Sequence, residues 1–289
     1  MAAAGRALGW RVVRLVEGTT PEAPAQTMMQ AIVMKPDIIL FSGTDLATLS
    51  APLKQAAAEH IPVLAETVTG SKTDSIISTA IDGPSTEAYA AYLMANYVAL
   101  ESKGKADVAL VNLPIFPILN AYASAFKSDL RSVCPGCRVT DFDQPTSYVG
   151  TQTPGNIFSA LERNPSLNWI VYTVGDLSLG VDPALKAAGI LGKVSIGGNA
   201  PDQTNLIALR NGTETAWTGF STPILGFRDA DMMARYFAGD SLSSAGEPLL
   251  LPTQILTKSN IGQASLTSAG NYQGVSNYVQ QFYTLWKLS

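Results

Sequence analysis

The chain has one histidine, His60, and two cysteines, Cys134 and Cys137, in 289 residues. A single imidazole restricts the chemistry. Ser-His-Asp and Cys-His devices need a histidine in a loop beside the nucleophile, whereas His60 stands at a predicted helix end just before Ile61-Pro62-Val63, and no Gly-x-Ser-x-Gly elbow accompanies it. Structural zinc needs four good ligands; two cysteines and one distant histidine do not supply them, so no metal is expected. Charge is also scarce. Lys and Arg number 19 and Asp and Glu 23, 15% of the chain in total, against about 25% in an average soluble domain. With 46% hydrophobic residues this composition excludes a disordered chain, and the net charge of −4 gives no general attraction to nucleic acid or anionic lipid. The uncharged apolar stretch Val108 to Phe126 contains Pro114 and Pro117, which would break a membrane-spanning helix. The first residues lack a basic segment followed by an apolar one, so no signal peptide is expected in the chain as it stands.

What the sequence does contain is an even alternation of short apolar runs and longer helical patterns. Strands are expected at Arg11 to Val16, Asp37 to Phe41, Ile61 to Ala65, Ile76 to Ala80, Asp107 to Val111, Arg138 to Phe142, Trp169 to Thr173, Lys193 to Ile196 and Thr215 to Thr218. Most are apolar on both faces, as in a parallel sheet covered by helices. The helical patterns between them tend to open with Pro or Asp and close at Gly. The fold class is therefore α/β, with two doubly wound parallel-sheet lobes because the strands are too many for one compact sheet. A break is expected at the polar turn Ser102 to Lys105, and the tail, Leu249 to Leu256 and Val275 to Leu288, reads as a strand and a docking helix. The chain opens in a helical pattern, Ala2 to Leu8, with no strand before it, which suggests that one strand stands upstream of Met1.

Several local motifs carry weaker signals. Cys134-Pro135-Gly136-Cys137 closes a helix and opens a strand, so it reads first as a disulfide and otherwise as a reduced pair; a thiol-redox motif would sit at a helix N-terminus. Gly70-Ser71-Lys72-Thr73 and Gly197-Gly198-Asn199 lack the spacing of phosphate-binding loops and read as turns, Asp141 and Asp143 as a solvated strand end, and Asn211-Gly212-Thr213 as a helix-ending turn.

The order of the runs Ala4 to Val16, Lys35 to Leu40, Ala58 to Val63, Asn168 to Tyr172 and Val194 to Asn199 resembles type I periplasmic solute-binding proteins, the ribose-binding-like receptors of sugar ABC importers, which share a fold with LacI-type effector domains. The resemblance covers about Ala2 to Asn260. It implies two lobes joined by a hinge: residues 1–103 with 221–251, residues 104–220, and a third crossing with a C-terminal tail helix over 252–289. It also implies a ligand held at the carboxyl ends of the strands. Carried over by position, the cleft residues are Glu66, Thr67, Phe116, Asn120, Asp176, Asn199, Phe220 and Ser221. The aromatic faces would stack on a ligand and the polar groups would bind its hydroxyls. Sugar binders of this family usually carry Asp and Arg where this chain has Glu66-Thr67, Arg where it has Asn120, and Asp where it has Asn199. The expected ligand is therefore small and neutral, sugar-like but less hydroxylated. The resemblance implies a monomeric, extracytoplasmic, non-enzymatic receptor without a cofactor, with a membrane permease as partner. The competing expectations are a transcription-regulator effector domain and an α/β enzyme using Glu66 or Asp176.

Overall fold

A computed structural model describes residues 1–288 other than 19, 21, 71, 72, 74, 241 and 243–250. The Gly70 to Thr73 motif and the start of the Leu249 to Leu256 run therefore lie partly outside the described residues. Helices α1 (Ala2–Ala7) and α2 (Ala23–Val33) precede β1 (Ile39–Ser42), α3 (Ser50–Ala58), β2 (Val63–Glu66) and β3 (Ile76–Ser78). The three strands form a parallel sheet in the order β1-β2-β3.

The strand period of two sorts their side chains onto opposite faces. Ile39, Phe41, Val63, Ala65 and Ile76 pack under Met28 and Ile32 of α2 and Leu53 and Ala56 of α3. Leu64 and Ile77 face the other way, against Ile224, Leu225, Met232 and Met233. Those last four belong to a helix far along the chain, Thr222–Ala238.

The second sheet is built from β4 (Asp107–Asn112), β5 (Arg138–Asp143), β6 (Trp169–Tyr172), β7 (Ser195–Asn199), β8 (Ala216–Thr218) and β9 (Ile255–Thr257). Its order is β5-β4-β6-β7-β8-β9, parallel throughout except for the antiparallel edge pair β8–β9. Around it lie α4 (Pro84–Glu101), α5 (Pro117–Val133), α6 (Thr153–Arg163), α7 (Val181–Ala187) and α8 (Gln203–Asn211). Val108, Leu110, Trp169 and Val171 face α4 and α5, while Val111, Ile170, Tyr172 and Ile196 face α7 and α8. Amphipathic spacing explains α5, whose buried residues Ile118, Tyr122, Ala123, Phe126 and Leu130 form one stripe. Proline stands in the first turn of α2, α4, α5, α6 and α9 (Thr222–Ala238), where its missing N–H costs nothing. Finally, α10 (Tyr278–Leu285) docks on α9: Trp286 stacks on Phe227 at 5.7 Å and its indole N–H donates to Asp231 at 2.8 Å.

Two expectations change. Helix α4 was grouped with the first sheet, but Ala90, Ala91, Met94, Ala95 and Val98 pack on Tyr122, Phe126 and the second sheet. The passage between sheets thus falls at about Ile81 to Gly83, ahead of α4, and not at Ser102 to Lys105. Small residues along α4 let it approach α5 closely, which a polar turn after the helix could not reveal. The other change is Arg11 to Val16, which forms no strand: β1 pairs only with β2, and Val12, Val13 and Val16 are exposed. Cys134 and Cys137 are joined by a disulfide at the end of α5, and His60 is exposed just past α3. Asp141 pairs with Lys127 at 2.9 Å on the exposed edge strand β5.

Candidate functional site

Parallel strands place the chain's turns together at their carboxyl ends. There β2 ends in Glu66-Thr67, β7 in Asn199-Ala200 and β8 in Thr218. Thr67, Asp82 and Ala200 have φ of 55°, 52° and 49°. The other non-glycine residues with positive φ, Lys35, His60, Lys103 and Lys287, each stand just beyond a helix, where a left-handed residue terminates the turn. Thr67, Asp82 and Ala200 instead gather at strand ends and the inter-sheet passage. A β-branched threonine in this region is costly, and such strain persists where the surroundings hold it.

Two hydrogen-bonded groups of polar residues lie at these strand ends, linked to each other by the charge of Asp82 acting on Glu87. The Thr67 hydroxyl lies in hydrogen-bond contact with Glu66 and, at 2.8 Å, with Asp82 Oδ2. Thr67 N–H donates to the Ile81 carbonyl at 3.1 Å, which fixes the passage against the end of β2. Glu87, one turn into α4, accepts from Asn199 Nδ2 at 2.9 Å, and Asn199 Oδ1 accepts from Thr218 Oγ1 at 3.1 Å. The charges of Glu66 and Asp82 reach Asp229 of α9.

Burial dominates the electrostatics here. Glu66, Asp82, Glu87 and Asp229 are 5%, 0%, 4% and 2% exposed. Desolvation, reinforced by the Glu66 charge, pushes the Asp82 carboxyl up to about 7. The same two causes push Asp229 up to about 8. Glu66 is raised by burial, partly offset by hydrogen bonds from Ser42 and Thr67. Glu87 is raised well above its ordinary range by burial and then by Asp82.

The expected site residues divide. Glu66 and Thr67 share one of these groups with Asp82, and Asn199 stands in the other with Glu87 and Thr218. Asn120, in the first turn of α5, belongs to a second network at the end of β4: its Oδ1 accepts from Asn112 Nδ2 at 2.8 Å and its Nδ2 donates to the Pro114 carbonyl at 2.9 Å. Ser221 is fully buried; its hydroxyl donates to the Gln273 carbonyl at 2.7 Å and accepts from Ile224 N–H at the start of α9. Phe116 packs beside the α7–α8 side of the second sheet, and Phe220 beside the α9 face of the first. Asp176 is exposed on a short turn after β6.

Asp82, Glu87 and Asp229 were not foreseen. For Asp82 and Glu87 the sequence signal was Asp82-Gly83-Pro84, an acidic residue at the last turn before a long helix; for Asp229 there was none. A shallow depression lined by Lys35, Asp37, Glu59 and His60 lies at the opposite, amino ends of β1 and β2. Among the described residues no group of His, Cys, Asp or Glu is arranged to hold a metal ion, and no helix is long and apolar enough to cross a membrane.

The model of the periplasmic binding protein domain matches residues 1–241. This chain belongs to that family. No curated protein matches the sequence. Among solved structures, a glucose-galactose binding protein from Geobacillus stearothermophilus, GanP, is similar at 20% identity, with 90% of each chain covered and a TM-score of 0.76. An ABC transporter solute-binding protein from Agrobacterium vitis with bound allitol is 17% identical, covering 90% of this chain and 89% of that one, with a TM-score of 0.79. A periplasmic solute-binding protein from Actinobacillus succinogenes with bound D-allose is 14% identical, covering 91% and 92%, with a TM-score of 0.76. The periplasmic binding protein fold thus extends over nearly the whole chain.

Proposed function

We propose that this periplasmic binding protein captures a small neutral sugar or polyol between its two sheets and presents it to the permease of an ABC importer outside the cytoplasm. The observation that carries the reading is the pair of acceptor-rich groups at the carboxyl ends of β2 and of β7 and β8, Glu66 and Thr67 in one and Asn199 in the other, linked by the charge of Asp82 on Glu87. Ligands of open α/β sheets bind where such ends converge. Carboxylates and amide oxygens accept the hydroxyl protons of a polyol, and the aromatic faces of Phe116 and Phe220 offer apolar surface for its C–H face. The solved relatives that hold allitol and D-allose support this ligand class.

The first lobe in this reading is the three-stranded sheet with α1, α2, α3, α9 and α10. The second is the six-stranded sheet with α4 to α8, and β9 returns to it as a further crossing. Hinge closure removes water and strengthens each hydrogen bond inside. The receptor acts as a monomer and binds without turnover.

The test is thermal unfolding of the purified chain against a panel of neutral sugars, polyols and sugar acids. A neutral member is expected to raise the melting temperature, and Asn199→Ala combined with Phe220→Ala to abolish the shift. Stabilisation by anionic compounds alone overturns the neutral-ligand assignment, and conversion of a panel member to product overturns the receptor reading in favour of an enzyme.

A further inference from the structure

The two sulfurs of the Cys134–Cys137 disulfide stand in different surroundings. Cys134 is 4% exposed and belongs to the buried cluster of Val98, Ala106 and Leu130. Cys137 is half-buried and lines a surface cleft of about 140 Å³ with Lys127, Leu130, Arg131 and Val139. A disulfide exchanges when a thiolate attacks one of its sulfurs, and access decides which. The packed core closes off Cys134, so the open sulfur is that of Cys137.

The charge beside this cleft is positive, in a chain whose net charge is −4. Lys127 and Arg131, four residues apart, share one face of α5. Lys127 is paired with Asp141 at 2.9 Å, whereas Arg131 is exposed and has no ion-pair partner among the described residues. Gly136, between the two cysteines, lies against the turn Lys103-Gly104-Lys105: a Cβ on it would stand 3.3 Å from the Gly104 carbonyl oxygen. Both lysines of that turn are exposed. Arg138, next to Cys137, is held by Asp107 at 2.6 Å. Of the acids on the same elements, Glu101 precedes the lysine turn, and Asp129 stands about 200° around α5 from Lys127.

We propose that this cleft is a thiol-exchange site, at which a small anionic thiol forms a mixed disulfide with Cys137. The incoming thiolate bonds to Cys137 Sγ, the bond to Cys134 breaks, and Cys134 Sγ leaves with the electron pair. It takes up one proton, equal to the proton the thiol lost on ionising, so the thiol is the only co-reactant. Burial and the carboxyl end of α5 both disfavour a thiolate at Cys134. Its protonation slows the return attack that rebuilds the disulfide.

The test uses three two-carbon thiols that differ in their terminal group: 2-mercaptoethanesulfonate, 2-mercaptoethanol and cysteamine. Rates with the ligand-free protein at low salt are taken per thiolate, each relative to the same thiol's rate with hydroxyethyl disulfide. Sugar binding plays no part in the outcome. The sulfonate is expected to lead the neutral thiol by about fourfold, the effect of one unit charge about 5 Å away in water, and cysteamine to trail it. Salt at about 1 M is expected to erase the difference. Arg131→Gln with Lys103→Gln and Lys105→Gln is expected to bring the three rates together and to leave the mercaptoethanol rate unchanged. Should that variant not fold, Arg131→Gln alone is expected to narrow the lead. Acid-quenched, digested protein is expected to carry the adduct on Cys137 when the peptide is fragmented. Equal relative rates for the three thiols, a lead that is unchanged in the folded variant, an adduct on Cys134, or a disulfide that resists all three thiols would overturn the proposal.

Discussion

Replacing Glu214 by glutamine tests the electrostatics away from the inter-sheet network. Glu214 is 5% exposed and accepts from Trp217 Nε1 at 2.6 Å and from Asn205 Nδ2 at 3.1 Å. Burial, then the nearby charge of Asp182, pushes its carboxyl from an ordinary 4.5 up to about 8. The folded protein thus keeps a proton that the unfolded chain gives up. Stability from this group is fully present below about pH 4.5 and declines as pH rises towards about 8. At about 1.4 kcal/mol for each tenfold step in proton affinity, the decline approaches about 5 kcal/mol when the pH exceeds both values.

Glu214→Gln cannot ionise, so it escapes that decline. It also sets an NH2 group against one of the N–H donors, which costs about 1–3 kcal/mol for a buried mispaired group. In urea titrations the wild type should be the more stable at pH 5, and the two stabilities should cross before pH 8.5. Asp82, Glu87 and Asp229 are common to both proteins, so their pH dependence cancels in the difference. Parallel stability curves from pH 5 to 8.5 would refute the reasoning.

Other consequences are simpler to measure. Gly198→Ala places a methyl group against the Tyr172 carbonyl oxygen and the Trp217 ring inside the second sheet; backbone there cannot yield, and the variant should be recovered mainly as insoluble protein, with soluble wild-type-like yield counting against the packing. Removing the disulfide by Cys134→Ser with Cys137→Ser opens a very small ring, so chain entropy predicts a loss of about 2 kcal/mol or less in chemical denaturation. Trp286→Ala removes the ring stacked on Phe227 and the hydrogen bond to Asp231; the half-exposed site predicts a loss of about 2–3 kcal/mol, less than for a fully buried tryptophan, measured by thermal unfolding.

Strand positions were legible because a parallel strand buried on both faces is a continuous apolar run: Asp107 to Asn112 and Trp169 to Tyr172 stand almost where they were expected. The allegiance of α4 was not legible. Its apolar residues are spread around the helix, so periodicity identified no single face and could not say which sheet it covers. Strand character at Arg11 to Val16 was an intrinsic preference of β-branched residues, and a strand exists only with a partner. In the candidate site, Glu66, Thr67 and Asn199 could be placed at neighbouring strand ends because strand ends can be counted along the chain. Asp82, Glu87 and Asp229 were missed because their importance comes from burial beside one another, a property of space and not of spacing. Ser221 and Asn120 had the right chemistry in the right region, but the backbone carbonyls of Gln273 and Pro114 claim them.

The order in which the chain is synthesised acquires meaning from the return of α9 to the first sheet. Strands β1 to β3 emerge from the ribosome early with one apolar face, Leu64 and Ile77, awaiting Ile224, Leu225, Met232 and Met233. Five helices, α4 to α8, and five strands, β4 to β8, must be made before that cover arrives. The parallel core of the second sheet, from β4 to β8, is by then complete with α4 to α8. The first sheet is therefore made early and covered late, and it is this apolar face that a holding chaperone would need to shield.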